Sequence, residues 1–172
     1  RSLGERCIVG FGSSGGPPML NVLYNNNYQI VQSPGYVMIM VEMNHDARII
    51  RLNSEFNPDS MRRWLGDSIG FWEGNTLVVK TKNHHPQQKF RAAIRHQILI
   101  SENAEITERF TRVGNNEILY QFEVNDDEAY KDVWKGEMPL RASQEKIYEY
   151  ACHEGNYAMA NILAGARAEE EQ

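Results

Sequence analysis

Titratable and aromatic groups crowd into Ile147-Tyr148-Glu149-Tyr150-Ala151-Cys152-His153-Glu154-Gly155-Asn156-Tyr157, with a second knot at Asn44-His45-Asp46-Ala47-Arg48. An imidazole beside a carboxylate passes protons near neutral pH, and a guanidinium holds an anionic or carbonyl oxygen. His45, Arg48, Glu149 and His153 therefore form the candidate catalytic set, expected where the end of the second strand meets the end of the last. Histidine with acid also suits a divalent metal. No i, i+4 or other local ligand spacing occurs, so no metal is assigned. His84-His85, ahead of Pro86 in a loop rich in Lys and Gln, reads as an exposed pair, and His96 completes the five histidines.

Other chemistries are excluded by context. Gly10-Phe11-Gly12-Ser13-Ser14-Gly15 fits a dinucleotide fingerprint, but Gly16-Pro17-Pro18 blocks the helix that would bind a pyrophosphate. No cofactor is expected. A formal net charge of −5, with Lys and Arg scattered among acids, leaves no basic footprint for nucleic acid. The longest apolar run, Val37-Met38-Ile39-Met40-Val41, is far short of the roughly 20 residues that span a bilayer. The chain begins at Arg1 without an initiator methionine and so reads as a processed product or a fragment. Cys7 and Cys152 either pair, stapling the N-terminal arm to the last strand, or stay as two buried thiols; two cysteines exclude a zinc knuckle.

The elements that must position these groups are short strands between turn signals. They are expected at Tyr28 to Gln32, Tyr36 to Met43, Ala47 to Leu52, Gly70 to Trp72, Thr76 to Thr81, Gln97 to Ser101, Glu105 to Val113, Glu117 to Val124, Trp134 to Arg141 and Lys146 to His153. A helical turn is expected at Asn57 to Ser60, carrying Met61 and Trp64. At 172 residues one domain suffices: residues 1–27 an extended, turn-rich arm wrapping the domain, 28–155 an antiparallel β core, and 156–172 a short helix and tail with Met159, Ile162 and Leu163 as its stripe. The fold class is all-β, an antiparallel β-barrel of lipocalin-like plan or a two-sheet sandwich.

Strand alternation sorts the polar side chains. Glu108 shares a face with Ile106 and Phe110, Glu42 with Met38 and Met40, and Glu149 with Ile147, Ala151 and His153, so three acids are expected to face one interior. A buried carboxylate needs a partner, here Arg48, Arg109 or Arg112, or a bound ligand. Met38, Trp64, Trp72, Tyr148 and Tyr150 are the expected ligand lining, with Glu42 and Glu108 as polar groups within it.

Arg1-Ser2-Leu3-Gly4-Glu5-Arg6-Cys7, Asn44-His45-Asp46-Ala47-Arg48-Ile49-Ile50, Trp64-Leu65-Gly66-Asp67-Ser68-Ile69-Gly70-Phe71-Trp72-Glu73-Gly74-Asn75, Glu108-Arg109-Phe110-Thr111-Arg112-Val113 and Tyr148 to Tyr157 together resemble an uncharacterised family of exported bacterial proteins. The resemblance covers nearly the whole chain. It implies a periplasmic or extracellular protein and favours a Cys7–Cys152 disulfide. Three functional classes follow: a binding barrel for an apolar or aromatic small molecule; a cofactor-independent hydratase, lyase or isomerase using histidine and glutamate; and a structural or self-assembling homo-oligomer joined through strand edges.

Overall fold

A computed structural model of the chain describes residues 2–93, 97–155 and 157–170. Its main feature is a curled half-barrel sheet of eight strands. Strand β1 (Tyr28–Ser33) turns through Pro34-Gly35 into β2 (Tyr36–Val41), and β3 (Ala47–Leu52) continues the meander. Gly35 takes φ +78°, a conformation that disfavours a side chain. After a crossover, β4 (Asp67–Glu73) and β5 (Thr76–Lys82) form a hairpin. A small separate ribbon follows, β6 (Phe90–Ala92) with β7 (Gln97–Leu99). Strands β8 (Glu105–Gly114), β9 (Glu117–Asn125) and β10 (Trp134–Arg141) complete the sheet in the order β1-β2-β3-β4-β5-β8-β9-β10. Helix α1 (Ala158–Glu170) ends the described chain, and none of the described helices is long and apolar enough to cross a membrane.

The β class is as expected, with several local differences. Neighbouring strands run antiparallel except β3 and β4, which pair in parallel as Ile50 with Ser68 and Leu52 with Gly70. Parallel neighbours need a long return, and residues 53–66 supply it as a loop in place of the expected helical turn. The sheet does not close, so β1 and β10 remain its two edges. Residues 146–153, whose alternation suggests a last strand, instead form an extended strap with no ladder partner. Both edges of β2 beside it are already taken by β1 and β3. The strap is held by side chains and by the Cys7–Cys152 disulfide, whose Cα atoms lie 5.8 Å apart.

Part of the N-terminal arm enters the fold. Residues 12–19 are buried on the concave side of the sheet, where a closed barrel would have its cavity. Gly12 bridges to Ala92, Ser13 takes the Ala92 carbonyl at 2.9 Å, and Ser13 Oγ donates to the Pro18 carbonyl at 2.7 Å. A Cβ on Gly12 would lie 2.2 Å from Val22, so the arm fits only with glycine there. Met19 joins Val37, Ile50, Val79, Ile106 and Tyr120 in the main core. Burying these side chains, at about 25 cal/mol per Å² of apolar surface, fills the half-barrel and fixes the arm.

The disulfide closes a loop of sequence separation 145, which by the chain-entropy model stabilises by at most about 5 kcal/mol. The Cys7→Ser, Cys152→Ser double variant should lose a measurable part of that in urea unfolding. Amide exchange should quicken in residues 8–20 and in the strap before it quickens in β8 and β9.

Candidate functional site

Three strands deliver polar groups to the concave side. In β8 the alternation turns Ile106, Glu108 and Phe110 inward, in β9 Tyr120, Phe122 and Val124, and in β3 Arg48 and Ile50. Arg48 Nη1 stands 2.8 Å from Glu108 Oε2, close but off the direction of a good hydrogen bond. Tyr120 donates its hydroxyl to Glu108 Oε1 at 2.7 Å and accepts the Met19 amide at 2.8 Å. Tyr28 gives its hydroxyl to the Ser14 carbonyl at 2.8 Å. Burial raises the Tyr28 pKa, with Arg48 opposing and Glu108 adding. The Tyr120 phenol is likewise raised, first by burial and then by the Glu108 charge.

Two further bases belong to this interior. Arg91, on β6, donates Nη1 to the Pro17 carbonyl and Nε to the Gln88 carbonyl at 3.3 Å. Burial pulls its pKa down to about 9, which still leaves it charged at neutrality. His84 is neutral there, because burial and then the charges of Arg91, Arg48 and Arg62 hold its pKa well below the usual histidine range.

A second, separate cluster clasps the strap. Glu42 is buried and accepts Asn27 Nδ2 at 2.9 Å and the Tyr148 amide at 3.2 Å. His45 Nε2 lies 3.3 Å from both the Tyr148 carbonyl and the Tyr150 amide, donating to the first or accepting from the second according to tautomer. Next to it Asp46 accepts the Gly10 amide at 2.6 Å and Asn44 Nδ2 at 3.1 Å, tying the arm to the same corner. Burial raises the Asp46 pKa against those two hydrogen bonds.

The four residues expected as a catalytic set are not gathered. His45 is at the strap, Arg48 is inside, and Glu149 and His153 are exposed. Glu149 and His153 lack an inward face because residues 146–153 are not a strand. Nor do three acids share one interior. Glu108 is there, but Glu42 follows Met38 and Met40 on the other side of β2 and is buried apart from Glu108, at the point where the chain bends to αR. Met38 falls on the outer face, because Val37, Ile39 and Val41 take the inner one. Trp72 is exposed, Trp64 stacks on His85 at 3.8 Å, Tyr148 is exposed, and Tyr150 packs on the Val22, Val41 and Met43 cluster. Of the three arginines expected to meet a buried acid, Arg48 does so; Arg109 pairs with Glu73 at 2.7 Å and Arg112 donates to loop carbonyls.

His84 is buried and His85 half-buried, against the exposed loop expected for them, because the turn of residues 83–88 packs under Trp64 and Leu65. His96 and the side chain of Met159 lie outside the described residues. Sequence reasoning missed Tyr120, His84 and Arg91. The run Ile118, Tyr120, Phe122, Val124 signals the first; nothing local signals Arg91, which is buried between exposed Phe90 and half-buried Ala92. A surface cavity of about 350 Å³ lies over β8 to β10, among Thr107, Arg109, Gln121 and Lys135, with the core ring of Phe122 at its floor beside Gly136; none of Arg48, His84, Arg91, Glu108 or Tyr120 lines it. Its charged groups already have partners: Lys135 pairs with Glu123 at 3.0 Å, Arg109 with Glu73, and Glu137 accepts the Gln121 amide at 2.9 Å. No family model, curated protein or solved structure matches the chain.

Removing one member of a buried ion pair strands the other. Glu108→Gln should destabilise by about 3–5 kcal/mol in urea unfolding, while Arg48→Met with Glu108→Leu should recover most of that loss. For Asp46, a folded pKa above the unfolded one means that the native state binds the extra proton. Its contribution to stability therefore falls as pH rises from the ordinary aspartate value through the raised one. Asp46→Asn keeps an acceptor for Gly10 and should abolish that slope, which unfolding curves across the acid range will show.

Proposed function

We propose that the chain is an exported β domain that acts by association, pairing with a second copy of itself along the open edge of β1. Export is supported by the Cys7–Cys152 disulfide, of a kind that oxidising compartments form and keep, and by the resemblance to exported bacterial proteins. A carrier of apolar compounds needs an open interior, and here residues 12–19 fill it. Hydratase or isomerase chemistry needs acid and base facing a reachable substrate. Here Glu108 and Tyr120 are sealed in, and His45 is engaged by the strap.

The observation that carries association is the contrast between two edges of one sheet. Edge strand β10 bears Lys135, Glu137, Pro139 and Arg141, charges and a proline that hinder strand addition. Edge strand β1 reads Tyr-Gln-Ile-Val-Gln-Ser, with neither. Val41 gives its amide to Asp46 and Glu42 gives its own to Asn27, so the bonded pairs along β1 and β2 are Gln29 with Met40, Val31 with Met38 and Ser33 with Tyr36. The amides and carbonyls of Tyr28, Ile30 and Gln32 then point to the open side. Among the described residues no backbone hydrogen bond from outside the sheet reaches them. Antiparallel self-pairing centred on Ile30 sets Tyr28 against the partner's Gln32 and opposes no charges. Outside that edge Val31, Met38 and Ile49 stand in register across three strands, Val31 42% and Ile49 53% exposed, an apolar row that a paired sheet would extend.

Gln32→Pro removes an outward amide and leaves the β1–β2 ladder intact. Sedimentation velocity over a concentration series should show the parent as a dimer and Gln32→Pro as a monomer with an unchanged circular dichroism spectrum. A parent that stays monomeric throughout, or a proline variant that associates as well as the parent, overturns the reading.

A further inference from the structure

We propose that the sealed interior binds one small monovalent anion, a halide or a compact oxyanion, held by Arg48, Arg91 and His84. The argument starts from charge. Arg48 is 3% exposed, Arg91 2% and Glu108 0%, so two guanidinium groups share the interior with one carboxylate. An uncompensated buried cation costs several kcal/mol, and interiors that keep one supply a counter-charge. The other buried acids are engaged elsewhere. Glu42 holds the strap, Asp67 accepts from Arg51 at 3.0 Å and from Asn57, and Asp126 accepts the Ser101 amide at 2.7 Å.

Hydrogen bonding points the same way. Nε and Nη2 of Arg48, Nη2 of Arg91 and the Ser14 hydroxyl are fully buried donors without a protein acceptor, and of the His84 nitrogens one at most is engaged, by the Ala104 backbone. Arg91 holds the Pro17 carbonyl, and two residues on, the Met19 amide meets Tyr120, whose hydroxyl goes to Glu108 beside Arg48, so the arm joins the two guanidinium groups; both of their charges act on His84. What this set lacks is an acceptor carrying negative charge. A water would satisfy some donors and leave the charge uncompensated. Arg48, Arg91, His84 and Ser14 are each 3% exposed or less, a sealed setting that suits a small anion and excludes bulky carboxylates and phosphate esters. The inference is independent of association through β1, since it concerns buried side chains and not the open backbone groups of that edge.

The test uses the whole oxidised chain, unfolded in urea and refolded in bromide so that a sealed site can fill. Crystals of that protein should give an anomalous bromide peak between Arg48, Arg91 and His84. In solution, chloride, bromide, nitrate and formate should each raise the unfolding midpoint at constant ionic strength, with gluconate as the balancing anion. The logarithm of the unfolding constant should vary with that of anion concentration with a slope of about one. Arg91→Gln should lose the dependence; because this variant also strands the Pro17 carbonyl and risks misfolding, the parent measurements decide. Bromide only at the surface, or a midpoint that follows ionic strength alone and ranks no anion above gluconate, overturns the proposal.

Discussion

The contact between Arg48 and Glu108 spans the concave side of the sheet, from β3 across β4 and β5 to β8. Two ions out of water are expensive, and their attraction offsets the cost only when further hydrogen bonds fix both groups. Tyr120 supplies one of these and passes the constraint to the Met19 amide, so the arm lies where the carboxylate needs it. The pair therefore specifies arrangement more than it adds net stability. A one-residue slip of β8 would turn Glu108 outward and bring Thr107 and Arg109 in, stranding Arg48.

This dependence explains which parts of the protein were legible in the sequence. Alternation in β8 placed Glu108 correctly between Ile106 and Phe110, and the demand for a partner led to Arg48. The pairing of Cys7 with Cys152 was also foreseeable, from the resemblance. Alternation groups side chains without saying which face is inner. It sets Glu42 with Met38 and Met40, which lie on the other side of β2, and along residues 146–153 the pattern of a strand is present but no free edge receives it. Arg91 and His84 were illegible for a different reason: distant segments make their surroundings, the arm for Arg91, whose Nη1 reaches the Pro17 carbonyl (sequence separation 74), and residues 63–65 for His84, which bridges to Arg63. The candidate site was legible for Glu108 and Arg48 and dispersed for the rest, because side chains of one strand end were assigned to a strand that does not form.

A closed barrel removes its edges and keeps a cavity; this fold does the reverse. Filling the interior with residues 12–19 lets the sheet stay open, so β1 keeps an unpaired row of backbone groups while the core is complete. The contrast with the charged, proline-bearing β10 gives the open sheet a direction, with one edge guarded and one available.

The disulfide also sets how the molecule bears load. Cys7 and Cys152 enclose the whole sheet, and α1 lies beyond Cys152. Tension applied from the two sides of that bridge runs through the sulfur atoms and bypasses every strand. The flanking segments, α1 among them, would extend like slack in a tether while the sheet stayed unstrained. Reduction would shift the same pull onto the contacts of the arm and strap, turning a covalent anchor into a chain of hydrogen bonds that yields step by step.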